Sequence, residues 1–135
     1  KNHKIRMKRI NITSGAKWED IVGYSRAVKI GNIIEISGTV ATDNSGELIG
    51  EGDEYLQTKF ILMKFENTLN QLGARMEDVV RTRIYCTNIK NWEKIGKAHG
   101  EIFGEIKPAT SMIEVSKLID EKYLVEIEAS IIINK

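Results

Sequence analysis

The segment "YLVEIEASIII" constrains the fold most, because its hydrophobic pattern repeats every two residues. Apolar and polar residues alternate along it in the order Val125, Glu126, Ile127, Glu128, Ala129, Ser130 and Ile131. Successive side chains of a β-strand point to opposite faces of a sheet. The segment therefore predicts a sheet with one apolar face, which other elements must cover, and one polar face.

Five more segments are strand-like: "RINI", "YSRAVKI", "NIIEISGTV", "DVVRTRIYCTN" and "TSMIEVSKL". Gly31-Asn32 separates the second from the third and is typical of a tight hairpin turn. Alternation in the fourth predicts two faces, one with Val80, Thr82, Ile84 and Cys86 and the other with Arg81, Arg83, Tyr85 and Thr87.

Two other segments have helical periodicity. The first is predicted from Glu54 to Leu72, ends at Gly73, and has a buried stripe of Leu56, Phe60, Met63, Phe65, Leu69 and Leu72. Asn91 is predicted to cap the second, whose stripe is Trp92, Ile95, His99 and Ile102. Gly104 and Pro108 end this helix, and Pro108 biases Lys107 toward extended backbone.

The predicted order β-β-β-α-β-α-β-β indicates one α+β domain over residues 7–135. A chain of 135 residues, 41% of them hydrophobic, is long enough to bury one core. It begins with Lys1 rather than methionine, so residues 1–6 are interpreted as a non-native or disordered N-terminal extension.

Charge and cysteine content exclude several classes of function. Twenty basic and nineteen acidic residues leave a net charge of +1, which predicts neither a nucleic-acid partner nor an anionic membrane. No apolar stretch approaches the roughly 20 residues that span a bilayer. The single cysteine, Cys86, lies in an apolar strand-like run, which favours a reducing compartment and a cytoplasmic location.

Motifs for metal, nucleotide or covalent chemistry are not recognised. The two histidines, His3 and His99, have no ligand-type neighbours at metal-binding spacing, and His99 is interpreted as a half-buried helix residue. The glycines of "NSGELIGEG" lack the lysine of a phosphate-binding loop. Burial is expected to keep the Cys86 thiol inert. No cofactor and no metal are predicted.

Several stretches together resemble the RidA/YjgF family of reactive-intermediate deaminases. "YSRAVKIGNIIEISGTV" is similar to its opening tyrosine, hairpin and serine-glycine turn, "NTLNQLGARMEDVVRTRIYCTNIKNW" to its central helix and strand, and "KPATSMIEVSKL" and "LVEIEAS" to its closing strands. The resemblance runs from about Gly23 to Ile131. It implies a chorismate-mutase-like fold and a homotrimer with a small-molecule site in each cleft between subunits.

The family's deaminases hydrolyse enamines or imines of 2-oxo acids to the oxo acid and ammonia. The resemblance implies a catalytic role for Glu126, which would orient the attacking water, and substrate-binding roles for Tyr24, Ser37, Gly38, Thr110 and Met112. Thr110 stands where the family has an arginine, in Pro-Ala-Thr-Ser. A neutral hydroxyl binds a carboxylate more weakly than a guanidinium does, so activity on 2-imino acids is expected to be poor.

Structural interpretations stay open beside these roles. Tyr24 can simply border the sheet, Gly38 can serve backbone geometry, and Glu128, Arg81 and Arg83 are expected to form cross-strand ion pairs. Whether the chain is an enzyme is therefore left open. The alternatives are an imine or enamine deaminase, a non-catalytic module binding a small molecule such as a 2-oxo or 2-imino acid, and, least favoured, a ribonuclease or translation inhibitor.

Overall fold

A computed structural model describes residues 6–134 of the chain. Its elements are, in order, β1 (Arg9–Ile12), α1 (Lys17–Val22), β2 (Ala27–Ile30), β3 (Ile33–Thr39), α2 (Glu54–Gln71), β4 (Val79–Cys86), α3 (Trp92–Phe103), β5 (Ala109–Glu114) and β6 (Val125–Ile132). Short 3₁₀ turns precede β4 and α3. The order confirms the predicted α+β class. Residues 1–5 of the predicted extension, including His3, and Lys135 lie outside the described residues.

The six strands form one sheet in the order β1-β2-β3-β6-β4-β5. All neighbours are antiparallel except β4 and β5, which are parallel. The predicted hairpin is confirmed: Ile30 pairs with Ile33 around a turn in which Gly31 has a φ of 61°, a conformation that favours glycine. Strand β6 lies between β3 and β4, so the alternating segment forms the middle of the sheet.

Helices α2 and α3 contribute to the core on one face of the sheet. The predicted apolar side of β6 is completely buried there, at Val125, Ile127, Ala129 and Ile131. Ile61, Phe65 and Leu69 of α2 and Ile95 and Phe103 of α3 belong to the same cluster. None of the helices within residues 6–134 is long and apolar enough to cross a membrane.

The predicted stripes of both helices need correction. On α2, Phe65 and Leu69 are buried as predicted, but Leu56 and Met63 are exposed. Gln57 and Thr58 are buried in their place, because the sheet and α3 cover a neighbouring face of the helix. On α3, Ile95 is buried but Trp92 is exposed.

Two more predictions need correction: the burial of Val80 in β4 and the capping of α3 by Asn91. Val80 is exposed because a bulge between Val79 and Arg81 shifts the register of β4 against β6. Asn91 precedes α3 as predicted, but its side-chain amide donates a hydrogen bond to the Glu54 carboxylate (2.6 Å) instead of capping the helix. The pattern located the elements correctly and missed these local irregularities.

The sequence predicted an extended backbone at Lys107. Its backbone is instead left-handed, with a φ of 55°. Its backbone N–H donates to the Phe103 carbonyl at 2.8 Å. A left-handed residue after a helix satisfies one of the free carbonyls of the last turn. Helix capping therefore outweighs the bias from Pro108, and the proline follows the completed cap.

The short helix α1 was not predicted. Its six residues, Lys17–Val22, span fewer than two turns, too few for a hydrophobic period to show. Gly23, with a φ of 90°, ends the helix and donates its N–H to the Glu19 carbonyl. The helix places the Glu19 side chain in a buried position beside the start of β2.

The buried Gln57 side chain joins two loops to α2, and we expect its hydrogen bonds to contribute to stability. Its amide nitrogen donates to the carbonyls of Gly50 (3.2 Å) and Lys122 (3.1 Å), and its amide oxygen accepts from the Leu124 N–H (2.9 Å). Gln57→Met keeps the shape and removes these partners, so we expect the free energy of unfolding to fall by about 2–4 kcal/mol. Chemical denaturation measures this loss.

Gln71→Met is the matched control, because Gln71 lies on the same helix and is exposed. Its expected change is within about 0.5 kcal/mol of zero. Equal stability of the two variants would show that the bonds of Gln57 contribute nothing net.

Candidate functional site

The candidate site lies on the face of the sheet opposite α2 and α3. Glu126, Glu128 and Ser130 of β6 point to this face, because their neighbours in the strand are buried in the core. Arg83 and Tyr85 of β4 share the face, since they pair with Glu128 and Glu126. All five residues are half-buried. The face is therefore polar but partly shielded from water.

Gly38 and Glu126 meet at an irregularity in β3. The register of β3 against β6 shifts between Ile36 and Thr39, so the chain bends away from a regular ladder at Gly38. A Cβ on residue 38 would collide with Oε2 of Glu126. The glycine thus leaves room for the carboxyl group at this point of the sheet.

Arg26 lies beside this pair and is engaged within the chain. Its Nη2 donates to the Gly38 carbonyl at 2.8 Å, and its Nε lies 3.8 Å from Oε2 of Glu19. The side chain is 17% exposed, and Nε has no hydrogen-bond partner within residues 6–134. The guanidinium is therefore held by the protein, and its buried Nε cannot reach a ligand.

Glu19 anchors Arg26, a role that the sequence did not predict. The hydroxyl of Thr13 donates to its Oε1 at 2.6 Å, and both the backbone N–H and the hydroxyl of Ser14 also donate to its carboxylate. Burial acts to raise the pKa of Glu19, but the hydrogen bonds from Ser14 and Thr13 and the charge of Arg26 outweigh it and lower the pKa. The carboxylate is a stable counter-charge. Thr13 and Ser14 shortly before a glutamate were the only sequence signal.

Glu126 is a carboxyl group with a shifted pKa on this face. Burial raises the pKa of its carboxyl group, the charge of Arg26 partly opposes that rise, and Glu128 adds to it. A carboxyl group with a raised pKa is a stronger base than an ordinary glutamate, which suits it to take up a proton and pass it on. The arrangement can therefore support general acid-base chemistry on a small molecule.

Lys64 of α2 holds the segment that follows β3. Its Nζ donates to the carbonyls of Val40 and Thr42, each at 2.8 Å. Burial, with the nearby charge of Arg26, lowers the pKa of Lys64 to about 8. The bonds fix the backbone just after Gly38.

Tyr24 and Ser37 both lie near Arg26 and Gly38, but only Tyr24 has a functional group that is free within residues 6–134. The Tyr24 ring is 37% exposed, with the Arg26 guanidinium carbon 5.6 Å from its centroid. The Ser37 hydroxyl donates to the Ser25 carbonyl at 2.6 Å, so it joins β3 to the start of β2. Tyr24 thus offers an accessible ring to a ligand, whereas the hydroxyl proton of Ser37 is used within the fold.

Thr110 and Met112 lie on the other face of the sheet. Thr110 pairs in parallel with the buried Thr82, and their hydroxyl oxygens are 2.8 Å apart. Met112 pairs with the buried Ile84. The sheet therefore separates Thr110 from Glu126 within one chain, although Glu126, Gly38 and Tyr24 are brought together around Arg26.

The predicted cross-strand ion pairs are present in part. Nη1 of Arg83 lies 3.7 Å from Oε1 of Glu128, which also accepts from the Tyr85 hydroxyl at 3.3 Å. Arg81 does not join them, because its side chain reaches toward β5 and donates to the Ser111 hydroxyl at 2.8 Å. Glu128 has an ordinary cross-strand role.

The described residues offer neither a metal site nor a reactive thiol. Within residues 6–134 no group of three His, Cys, Asp or Glu side chains is arranged to hold a metal ion. Cys86 is buried as predicted, and burial raises the pKa of its thiol. The thiol therefore stays protonated and unreactive near neutral pH.

Comparison with known proteins points in one direction. A family model described as endoribonuclease L-PSP matches residues 14–133. A RutC family protein of Pyrococcus abyssi is 36% identical over 107 residues, which are 78% of this chain and 83% of the relative. The 3-aminoacrylate deaminase RutC of Acinetobacter baylyi is 28% identical over 104 residues, 77% of this chain and 82% of that protein.

Solved structures agree with these matches. The crystal structure of a member of the YjgF/YER057c/UK114 family from Mycobacterium tuberculosis superposes with a TM-score of 0.84 at 43% sequence identity. The similarity covers 93% of this chain and all of that chain (100%).

The raised pKa of Glu126 predicts a pH-dependent stability. Ionising a carboxyl group whose pKa is higher in the folded state than its usual 4.5 costs stability as the pH rises through that folded pKa. We expect Glu126→Gln, which cannot ionise, to have a higher free energy of unfolding than the wild type at pH 7. The gain should vanish below about pH 4.5, where both side chains are neutral. Denaturant titrations at several pH values measure it.

Glu128→Gln is the matched control on the same strand and face. This substitution removes the partner of Arg83, so no gain at pH 7 is expected. A gain of the same size in both variants would contradict burial of Glu126 as the cause.

Proposed function

The chain belongs to the endoribonuclease L-PSP (RidA/YjgF) family, and on that basis we propose that it binds a small enamine or imine at Glu126 and hydrolyses it with release of ammonia. The half-buried Glu126 carboxyl group with its raised pKa, between Gly38 and Arg26, carries this proposal. The relative named 3-aminoacrylate deaminase supports it, since its name states deamination of an enamine.

In the proposed reaction Glu126 moves protons and water is the nucleophile. Its carboxylate takes a proton from a water molecule whose oxygen bonds to the carbon of the protonated imine, and the electron pair of the C=N bond moves to nitrogen. The resulting acid form gives this proton to the amine nitrogen, which prepares it to leave as ammonia. Because its pKa is raised, Glu126 takes a proton from water more readily than an ordinary glutamate does. No cofactor is needed for this chemistry.

Arg26 and Glu19 act as positioning residues in this proposal. The Arg26 charge favours the carboxylate form of Glu126, and its bond to the Gly38 carbonyl keeps β3 bent around that carboxylate. Glu19 holds Arg26 in turn. Because Arg26 is occupied, it is a poor substitute for the arginine that the family places where this chain has Thr110.

The substrate is therefore expected to depend little on a carboxylate anchor. A hydrogen bond from a neutral hydroxyl is worth about 0.5–1.5 kcal/mol, against about 1.5–3 kcal/mol for one to a charged group. Thr110 thus favours a small imine, enamine or related carbonyl compound that lacks a carboxylate or binds it elsewhere. Hydrolysis of 2-imino acids is expected to be poor.

A homotrimer is part of the proposal. Thr110 and Glu126 point to opposite faces of one sheet, so a single cleft that uses both needs them from two subunits. The face that carries Glu126 also exposes Ile30, Ile33 and Ile132, apolar side chains that a neighbouring subunit would cover. We propose a site in each of three clefts between subunits, in the cytoplasm.

The second candidate is a non-catalytic metabolite-binding or regulatory module. Thr110 in place of an arginine favours it, because a weaker anchor holds a bound molecule less precisely for attack by water. A ribonuclease role, which the family's description names, has less support, because a net charge of +1 shows no large excess of basic residues to bind the phosphates of RNA.

An assay of ammonia release tests the function. Small enamines and imines with and without a carboxylate, including 2-iminobutanoate made in place by a dehydratase, are the probes. We expect faster hydrolysis of at least one carboxylate-free probe and little effect on 2-iminobutanoate. Glu126→Gln should lose at least about a hundredfold in kcat, as removal of a general acid-base group does, whereas Glu128→Gln keeps its activity. Saturable binding of a carbonyl compound without any turnover would instead establish the binding module.

Sedimentation equilibrium tests the assembly. The expected mass is three times the 15.3 kDa of the chain. Replacement of Ile33 by lysine should shift the protein toward monomer, since a charge buried in an apolar contact without a partner is costly. A wild-type monomer at micromolar concentration would overturn the homotrimer and the shared cleft.

A further inference from the structure

Three hydrogen-bonding side chains form a continuous row behind Thr110. The Thr110 and Thr82 hydroxyl oxygens are 2.8 Å apart, and the Thr82 oxygen is 2.9 Å from Nε2 of His99. They come from β5, β4 and α3, and the parallel register that pairs Thr82 with Thr110 places the two hydroxyls side by side. No role assigned so far to the site uses Thr82 or His99.

The row runs from the surface into the protein. Thr110 is exposed, Thr82 is completely buried, and His99 is half-buried with its ring centroid 4.6 Å from that of Phe103. A buried hydroxyl is costly unless it is hydrogen-bonded, and Thr82 has partners on both sides. The row is therefore a specific arrangement in the core and not a chance surface contact.

Both directions of hydrogen bonding satisfy the row. In one, Thr110 donates to Thr82 and Thr82 donates to Nε2 of a neutral His99. In the other, His99 donates to Thr82, Thr82 donates to Thr110, and Thr110 donates to the Pro108 carbonyl at 3.3 Å. The two differ by the position of one proton and the rotation of two hydroxyls, which is the property of a proton-conducting chain.

We propose that Thr110, Thr82 and His99 form a proton relay for the imine or enamine hydrolysis described above, on which this inference rests. Thr110 is the group that touches the reacting molecule, and Thr82 and His99 act through it as positioning residues. In the shared cleft, Thr110 of the partner subunit faces the molecule from the side opposite Glu126. The relay thus gives a second proton-transfer group to a site that lacks the family's arginine.

The relay removes the proton that Glu126 does not handle. After water has added, the intermediate carries a hydroxyl group and, once Glu126 has returned its proton, an ammonium group on the same carbon. The hydroxyl gives its proton to Thr110, the proton of Thr110 passes to Thr82, and that of Thr82 passes to Nε2 of His99. The O–H electron pair forms the carbonyl bond, and the C–N pair leaves with ammonia. His99 then releases its proton to ammonia or solvent, so atoms and charges balance.

The surroundings of His99 suit a proton acceptor. Thr82 of β4 and Phe103 of α3 contact the ring, Thr110 of β5 lies behind Thr82, and none of the three is charged. Arg81 and Arg83 point to the opposite face of the sheet. Burial lowers the pKa of His99 below its ordinary 6.5, and within residues 6–134 no charged group contributes. The imidazole is therefore neutral and able to accept a proton near pH 7.

Thr82→Val is the decisive variant, because valine has the same shape and breaks both links. Activity needs both the carboxylate form of Glu126 and neutral His99, so we expect kcat of the wild type to fall in two steps as the pH drops. We call the step whose midpoint equals the His99 pKa measured by NMR the acid limb. Thr82→Val should lower kcat by about 10- to 100-fold, change KM less than about twofold and remove this acid limb. Thr82→Ser should restore both the rate and the limb.

Two further variants distinguish the loss of proton transfer from a general structural effect of removing a threonine hydroxyl. Thr58→Val is the control, since Thr58 is a buried threonine of α2 whose hydroxyl has no hydrogen-bond partner within residues 6–134. It should keep the wild-type rate and pH profile. Thr110→Val changes an exposed side chain and replaces Thr82→Val if that variant does not fold. It should likewise lose the acid limb.

The outcomes distinguish the relay from the hydrolysis on which it rests. Wild-type turnover with the same acid limb in Thr82→Val or Thr110→Val would overturn the relay and leave the proposed function intact. Absence of wild-type turnover on every probe would overturn both. A wild-type profile without any step that coincides with the His99 titration would overturn the relay and assign the proton acceptor to another group.

Discussion

The strict two-sidedness of β6 is the constraint on which the rest of the structure depends. Its four core residues have no exposed surface, and burying such side chains contributes about 1.5–3 kcal/mol for each large aliphatic one. A shift by one residue would exchange this side for the one with Glu126 and Glu128. The burial of one side therefore holds the carboxyl groups in place on the other. The packing that stabilises the fold therefore also determines the direction in which the carboxyl groups of the site point.

The sequence predicted the fold wherever side-chain alternation or a glycine determines it. Six strands, two long helices and the turn at Gly31 follow from such local rules. What failed depends on contacts distant in the chain. Leu56 is exposed because Gln57 fills the inner position with bonds to remote loops, and Val80 is exposed because β4 bulges against β6. Neither the hydrogen bonds of Gln57 nor the bulge of β4 can be predicted from hydrophobic periodicity.

The candidate site was predictable only in part, and mostly through resemblance. Glu126 and Gly38 were identified together, and the bend of β3 does place them in contact. Glu19 was missed because it lies on a helix too short to show a period, and its role depends on Arg26. The opposite placement of Thr110 follows from the parallel pairing of β4 with β5, a property of topology that residue types alone do not express.

The strand order also affects how the protein is made. β6 is translated after every other described strand, yet it lies between β3 and β4. Until it emerges, Ile33 and Ile34 of β3 lack their partners Ile132 and Ile131, and β4 lacks its antiparallel neighbour. Unpaired edges with apolar side chains are prone to association with other chains. During synthesis there is therefore a stage in which the β1-β2-β3 and β4-β5 parts of the sheet are not yet joined by β6. We expect chaperones to bind the nascent protein at this stage.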